Sequence, residues 1–491
     1  MKRSWVAPLR SLTRRKDDDS RQPTTFEAEE TTVVVESVTI DDELKLPDRA
    51  SLIIVLFANV LMQWTFFIIV SSSNEYAQYL GGSSTFSGLV IGIPTAVSAL
   101  TLVPLMLVDR GGYAIPLNFA CGCLVLGNIL YALAYRANFL YLILLGRMIC
   151  GGGFTFWMYA KRYCSDPRIV GIRRRTTLAG WQVLGQGIGF SFGPFAGGLL
   201  SKIGYDNAVF NGFTSPGWLM AAAWAAFWVV VRIYFVEVPP AQTPAIPLQP
   251  VEEASARSST DAEDAQVPPT PAASEPSIAT STVPLVSPKH NMTPGQWGVA
   301  ATMCWFAMTC FFILGAWESN IPVFTASDAP ANPFHFSPFA SGNMIALGGA
   351  CTIPFLLINL HFARRMQDRN TLALGTSVGA VGLLVAISIL ASEKVNYGSF
   401  FVAWFLVALG FNVASTVTLA LLSKQLPGEW NGRISLLIQC SNYTGRVTGA
   451  VWGGAGVKVG MLGYVGLQLG YVAVGTVLFM TLWHNLKAKT G

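Results

Sequence analysis

Apolar residues run through this chain in stretches of about twenty or more, separated by short polar loops. Twelve such runs stand at about 51–73, 86–108, 114–135, 138–160, 176–200, 217–236, 297–321, 338–360, 371–391, 398–422, 433–457 and 461–484. A helix needs roughly 20 apolar residues to cross the hydrocarbon core of a bilayer. Strands of a membrane barrel would be shorter and would alternate apolar with polar positions. These runs do not alternate, so the pattern predicts twelve membrane-spanning helices in an all-α polytopic membrane protein.

Two polar segments frame the runs. Residues 237–294 are rich in Pro, Ala, Ser, Thr and Glu, with almost no aromatics. Such a segment cannot bury enough apolar surface to fold alone. The expected organisation is a disordered tail over 1–50, a six-helix bundle over 51–236, a disordered linker over 237–294, a second bundle over 295–485 and a short tail over 486–491. No apolar stretch precedes Ser51, so the first run is expected to act as an uncleaved signal. Thr243-Pro244, Thr270-Pro271 and Ser287-Pro288 are candidate phosphorylation sites in the linker.

Composition agrees with a membrane protein: 52% of residues are hydrophobic and 12% charged, against about 25% charged in soluble domains. The placement of Lys and Arg in short loops sets orientation. One set of loops, with the C-terminal tail, holds fourteen, including Lys161, Arg162, Arg168, Arg173, Arg174 and Arg175. The opposite set holds four: Arg136, Lys202, Lys394 and Lys458. Both termini are therefore expected in the cytosol. The net charge of +5 reflects this bias and gives no support to nucleic-acid binding. The eight cysteines lie almost entirely within runs, which argues against a disulfide framework. No spacing of Cys, His, Asp or Glu suggests a metal site, a cofactor or a catalytic group, so no enzymatic activity is expected.

The halves repeat. Gly193-Pro194-Phe195-Ala196-Gly197-Gly198, late in the fifth run, is echoed by Gly449-Ala450-Val451-Trp452-Gly453-Gly454, late in the eleventh. Gly88 opens the second run as Gly342 opens the eighth, and Asp109-Arg110 lines up with Arg364-Arg365. Glu75 and Glu318, each near the far end of the first helix of its half, are about 243 apart, and with the difference of about 11 residues assigned to the longer 319–341 loop they are expected to be matching positions. Duplicated membrane units of this kind build transporters whose substrate path lies between the repeats.

Twelve runs as six plus six around a linker, with these glycines, resemble the major facilitator superfamily. Gly189, Gly193, Pro194, Gly197 and Gly198 match its fifth-helix antiporter motif, and Arg147, Gly151 and Gly153 its fourth-helix motif. Asp109, Arg110 and Gly112 fit its second-to-third loop, but Leu105 and Tyr113 depart from it. Arg162-Tyr163, Arg175-Thr176-Thr177, Glu318-x-x-x-Pro322 and Gly445-Arg446 look like the lysosomal facilitators linked to ceroid lipofuscinosis and the vacuolar SPX–facilitator phosphate transporters. With a tail of 50 residues before the first run, no SPX domain is expected. The resemblance implies two six-helix bundles working by alternating access as a monomer, with helices 1, 4, 7 and 10 lining the cavity. It also implies that the glycine faces pack helix 5 on helix 8 and helix 11 on helix 2, and suggests a vacuolar, lysosomal-type or plasma membrane.

Four ionisable residues fall at depth. Arg147 lies about nine residues into its run, some 14 Å at about 1.5 Å per residue, and Arg446 is comparably deep. Glu75 and Glu318 lie nearer the far ends. An unpaired Arg at mid-bilayer costs at least about 2.5–3.5 kcal/mol, so these side chains are expected to pair or to face water: Glu75 with Arg147, and Glu318 with Arg446. Burial raises a carboxyl pKa and a nearby Arg lowers it, so a substrate competing for the Arg would leave the Glu free to take a proton. Two fixed structural ion pairs are the other reading. Gln186 and Asn442, at matching positions, are further candidate ligands. Gln63, Trp64, Asn74, Trp157, Tyr159, Gln182, Trp317, Asn343, Asn412, Gln439 and Tyr443 complete the candidate lining.

The expected function is secondary transport of a small polar solute, with an anionic solute and proton coupling as the finer expectation. An anion channel of an intracellular membrane and a non-transporting membrane sensor are the alternatives.

Overall fold

The computed structural model of the chain describes residues 44–109, 111–166, 168–238, 293–362, 366–425 and 431–486. The expected N-terminal tail up to residue 43, the linker over 239–292 and the last five residues lie outside these, as does Arg110. The described residues are helical and hold no strand.

Local sequence accounts for several helix ends. The first run divides into α1 (Arg49–Phe67) and the short α2 (Ser73–Tyr79), joined by a buried turn over 68–72. Asp48 caps α1 by accepting from the Ser51 amide at 3.0 Å, one of the donors a helix start leaves unpaired. Ser83 likewise opens α3 (Ser84–Val108). Asn138, in the left-handed region at φ 45°, closes α4 (Ala114–Ala137). The fourth run splits at Thr155 into α5 (Leu140–Phe154) and α6 (Phe156–Ser165). Gly151, Gly152 and Gly153 weaken the helix there, and the Thr155 hydroxyl donates to the Gly152 carbonyl at 2.7 Å. Then follow α7 (Ile172–Leu200) and α8 (Ser215–Tyr234).

Beyond the linker come α9 (Pro294–Ala326), α10 (Pro338–Phe362), α11 (Asp368–Ala391), α12 (Tyr397–Gln425), α13 (Asn431–Val459) and α14 (Met461–Thr481). A capping box of Thr293 and Gln296, with Pro294 in the first turn, starts α9. Residues 293 and 294 thus belong to this helix start. Eleven described helical segments are long and apolar enough to cross a membrane. The eleventh run does not reach that apolarity, although α13 is 29 residues long. Its polar Gln439 and Asn442 are half-buried and its Arg446 is buried, in a helix that packs between α9 and α3.

The glycine ridges show how the bundles assemble. Gly189, Gly193 and Gly197 on α7 lie against Val60, Phe67 and Ile68 of the first run. A Cβ at Gly197 would collide with the Ile68 carbonyl. In the second half Gly445, Gly449 and Gly453 lie against Met308, Phe312 and Ala316 of α9 in the same manner. These three-glycine ridges therefore pack inside their own half, while α7 does lie on α10 and α13 on α3, the helix 5–helix 8 and helix 11–helix 2 packing that the resemblance implied. Small residues let the backbones approach closely. The neighbouring positions make the crossing: Gly198 and Pro194 meet Phe339 and Gly342 on α10, while Gly454 and Ala450 meet Ser84 and Gly88 on α3.

Those contacts close the two halves on each other at one end. They extend inward to the Ser98 hydroxyl, which donates to the Tyr443 hydroxyl at 3.3 Å, and to Gly187 beside Ile353. At the opposite ends of the same helices Leu107, Val108 and Trp181 are exposed.

Candidate functional site

Glu318 on α9 and Arg446 on α13 form a buried ion pair, with Nη2 of Arg446 donating to Oε2 of Glu318. Glu318 is 1% exposed and Arg446 8%. The glycine ridge explains why they meet: with Gly445 and Gly449 pressed on Met308 and Phe312, α13 lies flush on α9 and brings Arg446 to Glu318. Opposite, the guanidinium carbon stands 5.0 Å from the ring centre of Phe66 and 5.1 Å from that of Phe67, both on α1. Cations are attracted to aromatic faces at such distances. The pair thus sits where the two halves touch.

Arg147 on α5 is 1% exposed. Its Nε and Nη1 reach the carbonyls of Val90 on α3 and Thr65 on α1 at the long distances of 3.4 and 3.5 Å, and its Nη2 has no hydrogen-bond partner. Its guanidinium carbon lies 5.6 Å from the Phe66 ring centre and 6.0 Å from that of Phe154. Phe154 stacks on Trp157 at 4.7 Å, and the indole nitrogen of Trp157 is also buried without a partner. The expected pairing of Arg147 with Glu75 does not occur. Glu75 is half-buried in α2 beside Tyr205, whose phenol is pushed above its ordinary range by burial and then by the Glu75 carboxylate.

Nor are Glu75 and Glu318 matching positions. Ile68 and Ser71 face Gly197 as Ala316 and Ser319 face Gly453. In that register the partner of Glu318 is Val70. Arg446 corresponds to Phe190, since Gly189 and Gly445 hold the same place. The first half therefore carries two apolar residues where the second carries an ion pair, and Phe190 packs edge-on against Phe67 at 4.7 Å.

The other candidates divide. Gln186 and Asn442 are half-buried, and Oδ1 of Asn442 is buried and unpartnered. Gln63 and Gln439 are half-buried, and the Trp64 indole, Asn74, Tyr159 and Asn343 keep unpartnered buried polar atoms. Gln182 is tied up within the first half: its amide donates to the Ala160 carbonyl at 2.6 Å, and its own carbonyl accepts from Asn59. The Trp317 indole donates to Gln468 at 2.9 Å and Asn412 to the Ala408 carbonyl at 2.7 Å, both structural uses. Phe66 and Phe67 carry no polar atom, so nothing in a list of polar candidates pointed to them.

A second polar cluster gathers at the end away from the closed contact. Arg162 pairs with Asp109, whose Oδ1 also accepts from the Gly111 amide at 2.7 Å. Gly111 lies at φ +82°, a conformation that favours glycine. Arg168 donates to Asp166 at 2.6 Å and to the Gly111 carbonyl at 2.7 Å, and the Tyr113 hydroxyl donates to Asp166 at 2.7 Å. Burial works to raise the Asp166 carboxyl, but the bonds from Arg168 and Tyr113 prevail and hold it below its ordinary value. Glu237, just after α8, accepts from the Tyr113 and Ala114 amides at 2.8 and 2.7 Å. It neutralises the start of α4, where the helix dipole favours an anion.

A bundle of this kind with polar side chains at its centre has clear relatives. The sequence profile described as Major Facilitator Superfamily matches residues 52–450. The chain belongs to this superfamily. An MFS-type transporter of Schizosaccharomyces pombe is 29% identical over 475 residues, covering 95% of this chain and 88% of the relative. An SPX domain-containing membrane protein of Arabidopsis thaliana is 37% identical over 172 residues, which cover 35% of this chain and 24% of that protein. Among solved structures, a mutant of the peptide transporter POT gives a TM-score of 0.64 at 17% identity, covering 90% of this chain and 98% of that one. A bacterial homologue of the human lysosomal transporter Spinster, inward-facing and occupied, gives 0.62 at 14% identity, with coverage of 90% and 98%. These likenesses bear out the all-α facilitator fold and a secondary transporter that is not an enzyme, in an integral multi-pass membrane protein with a small-molecule substrate.

Proposed function

We propose that this facilitator carries a small anionic solute together with protons, by alternating access between its two six-helix halves. The observation that carries the reading is the Glu318–Arg446 pair, buried where the halves touch and pressed on Phe66 and Phe67 of the opposite half. An anionic solute competes with Glu318 for Arg446. A buried carboxylate that loses its counter-ion neutralises by binding a proton, so solute and proton load together. Arg446 on α13 is the charged group that acts on Glu318 among the described residues. Release on the other side restores the pair.

The halves are closed at the end of Gly454 and Gly198. With both termini in the cytosol, this is a cytosol-facing state, and the Asp109–Arg162 and Asp166–Arg168 pairs lie on the cytosolic side. The membrane is of the vacuolar or lysosomal type or the plasma membrane, and the protein works as a monomer. Gln186 and Asn442 contact solute, while the ridges of Gly189, Gly193, Gly197, Gly449 and Gly453 keep each half rigid as it moves.

Uptake of labelled organic and inorganic anions into proteoliposomes, with and without an inward proton gradient, tests the reading. Saturable uptake driven by the gradient in the native protein, and uptake insensitive to the gradient in Glu318→Gln, is the expected result. Gradient-driven uptake that survives in Glu318→Gln defeats coupling through this pair. Currents far above carrier turnover would mark a channel instead, and neither flux nor current a sensor.

A further inference from the structure

Phe66 is shared by two arginines from different halves. The Arg147 guanidinium carbon lies 5.6 Å from its ring centre and that of Arg446 5.0 Å. The two cations can therefore be no farther apart than these distances laid end to end. Both are at least nine-tenths buried. Glu318 faces Arg446, and no carboxylate faces Arg147 among the described residues: around it stand carbonyls at 3.4 and 3.5 Å, aromatic rings, the Cys150 thiol and the Tyr131 phenol, and Nη2 has no hydrogen-bond partner. The centre of the bundle thus holds two fixed positive charges and one acid that binds or releases a proton.

Charge in a dehydrated interior is costly unless balanced. The balance here depends on Glu318. With Glu318 ionised and still paired to Arg446, the charge of Arg147 remains and a monoanion neutralises it without a proton. With Glu318 protonated, two charges remain and a dianion neutralises them, so the loading of solute with a proton proposed above is that of the dianion. We infer that Arg147 and Arg446 form one anion site around Phe66, and that the proton on Glu318 switches its preference from singly to doubly charged anions. This rests on the anionic-solute reading above and adds the charge class of the solute. The register between the halves supports a built site. Val70 and Phe190 stand where the second half has Glu318 and Arg446, so the pair is not inherited from a symmetric packing scheme. Two residues beside Phe66, Arg147 and Trp157, carry buried unpartnered donors, Nη2 and the indole nitrogen, which is the chemistry an oxyanion requires.

Sulfate and methanesulfonate make a matched pair of probes: both are tetrahedral sulfur oxyanions, and they keep charges of two and one across the working pH range. Their affinities for the purified full-length protein in detergent are measured from the shift in melting temperature at pH 5 and pH 8. The native protein is expected to favour methanesulfonate at pH 8 and to gain at least ten-fold in its sulfate-to-methanesulfonate ratio at pH 5. Glu318→Gln, permanently neutral, is expected to favour sulfate at both. Arg147→Gln is expected to lose the gain in sulfate. A ratio that is independent of pH in the native protein, or unchanged by Glu318→Gln, overturns the switch while leaving anion transport standing. Binding of neither anion defeats the anionic-solute reading as well. The Glu318→Gln arm decides the matter even if Arg147→Gln fails to fold.

Discussion

Arg446 on α13 and Phe66 on α1 belong to opposite halves of the molecule, and the guanidinium carbon of the one stands 5.0 Å from the ring centre of the other. The ion pair to Glu318 on α9 lies behind it, so one arginine ties the second half together and touches the first.

Breaking that pair from one side leaves a buried charge without a counter-ion. Glu318→Ala is expected to cost about 3–5 kcal/mol and to lower the melting temperature in detergent by several degrees. Glu318→Val with Arg446→Phe copies the first half, where Val70 and Phe190 hold these places, and is expected to recover most of that stability while transport is lost. A double variant as unstable as Glu318→Ala would show that the site cannot accept the apolar arrangement.

The glycine ridges predict a contrast within one residue type. A Cβ at Gly197 would meet the Ile68 carbonyl and one at Gly453 the Ala316 carbonyl, so Gly→Ala at either is expected to destabilise by about 1–3 kcal/mol through overpacking. Gly466 and Gly470 on α14 have nothing within 4 Å. Alanine there is expected to be neutral or to stabilise by up to about 1 kcal/mol, because glycine is a poor helix former. Thermal melts of the four variants rank them.

Glu237→Ala removes the acceptor for two amides at the start of α4. The expected cost is about 1 kcal/mol, as for other lost helix caps. Hydrogen exchange should speed up at Tyr113 and Ala114 and remain unchanged at the far end of α4. Unchanged exchange at these two amides would mean that the cap does not form.

Asp166 sets a pH dependence of stability. Its folded pKa is held below the unfolded value, about 3.9 for a free Asp. The stabilisation is then fully present above the unfolded value and is lost as pH falls through the folded one. Melting temperature is expected to drop below about pH 4, and Asp166→Asn to lie lower at neutral pH with a flatter acid limb. An acid limb as steep in the variant as in the native protein would assign the loss to other groups.

The helices were legible because a bilayer demands long apolar runs, and that demand is written into eleven of the twelve runs; the eleventh, which packs between α9 and α3, carries it more weakly. The Glu318–Arg446 pair was legible too, because an ion at that depth needs a partner and the repeat placed both on neighbouring helices. The match of Glu75 to Glu318 failed for a definite reason. It carried the offset of the glycine motifs into the first helix and assigned the mismatch to the 319–341 loop, whereas the ridge contacts set Val70 opposite Glu318. Gln182 was misread because its position along the helix says nothing of the helix's rotation, which turned it toward Asn59 and Ala160. Phe66 was invisible because its role arises from two cations that meet only after folding.

The closed end of the molecule is sealed largely by main chain on main chain: Gly88 and Gly454 on one side, Gly198 and Gly342 on the other. Glycines have no rotamers to freeze on contact, and the entropy lost when larger side chains are pinned, up to about 2 kcal/mol each, is avoided there. The seal can therefore part and re-form without a long search for the right side-chain arrangement. A joint of that kind is suited to a machine that must open and close once for every cargo it moves.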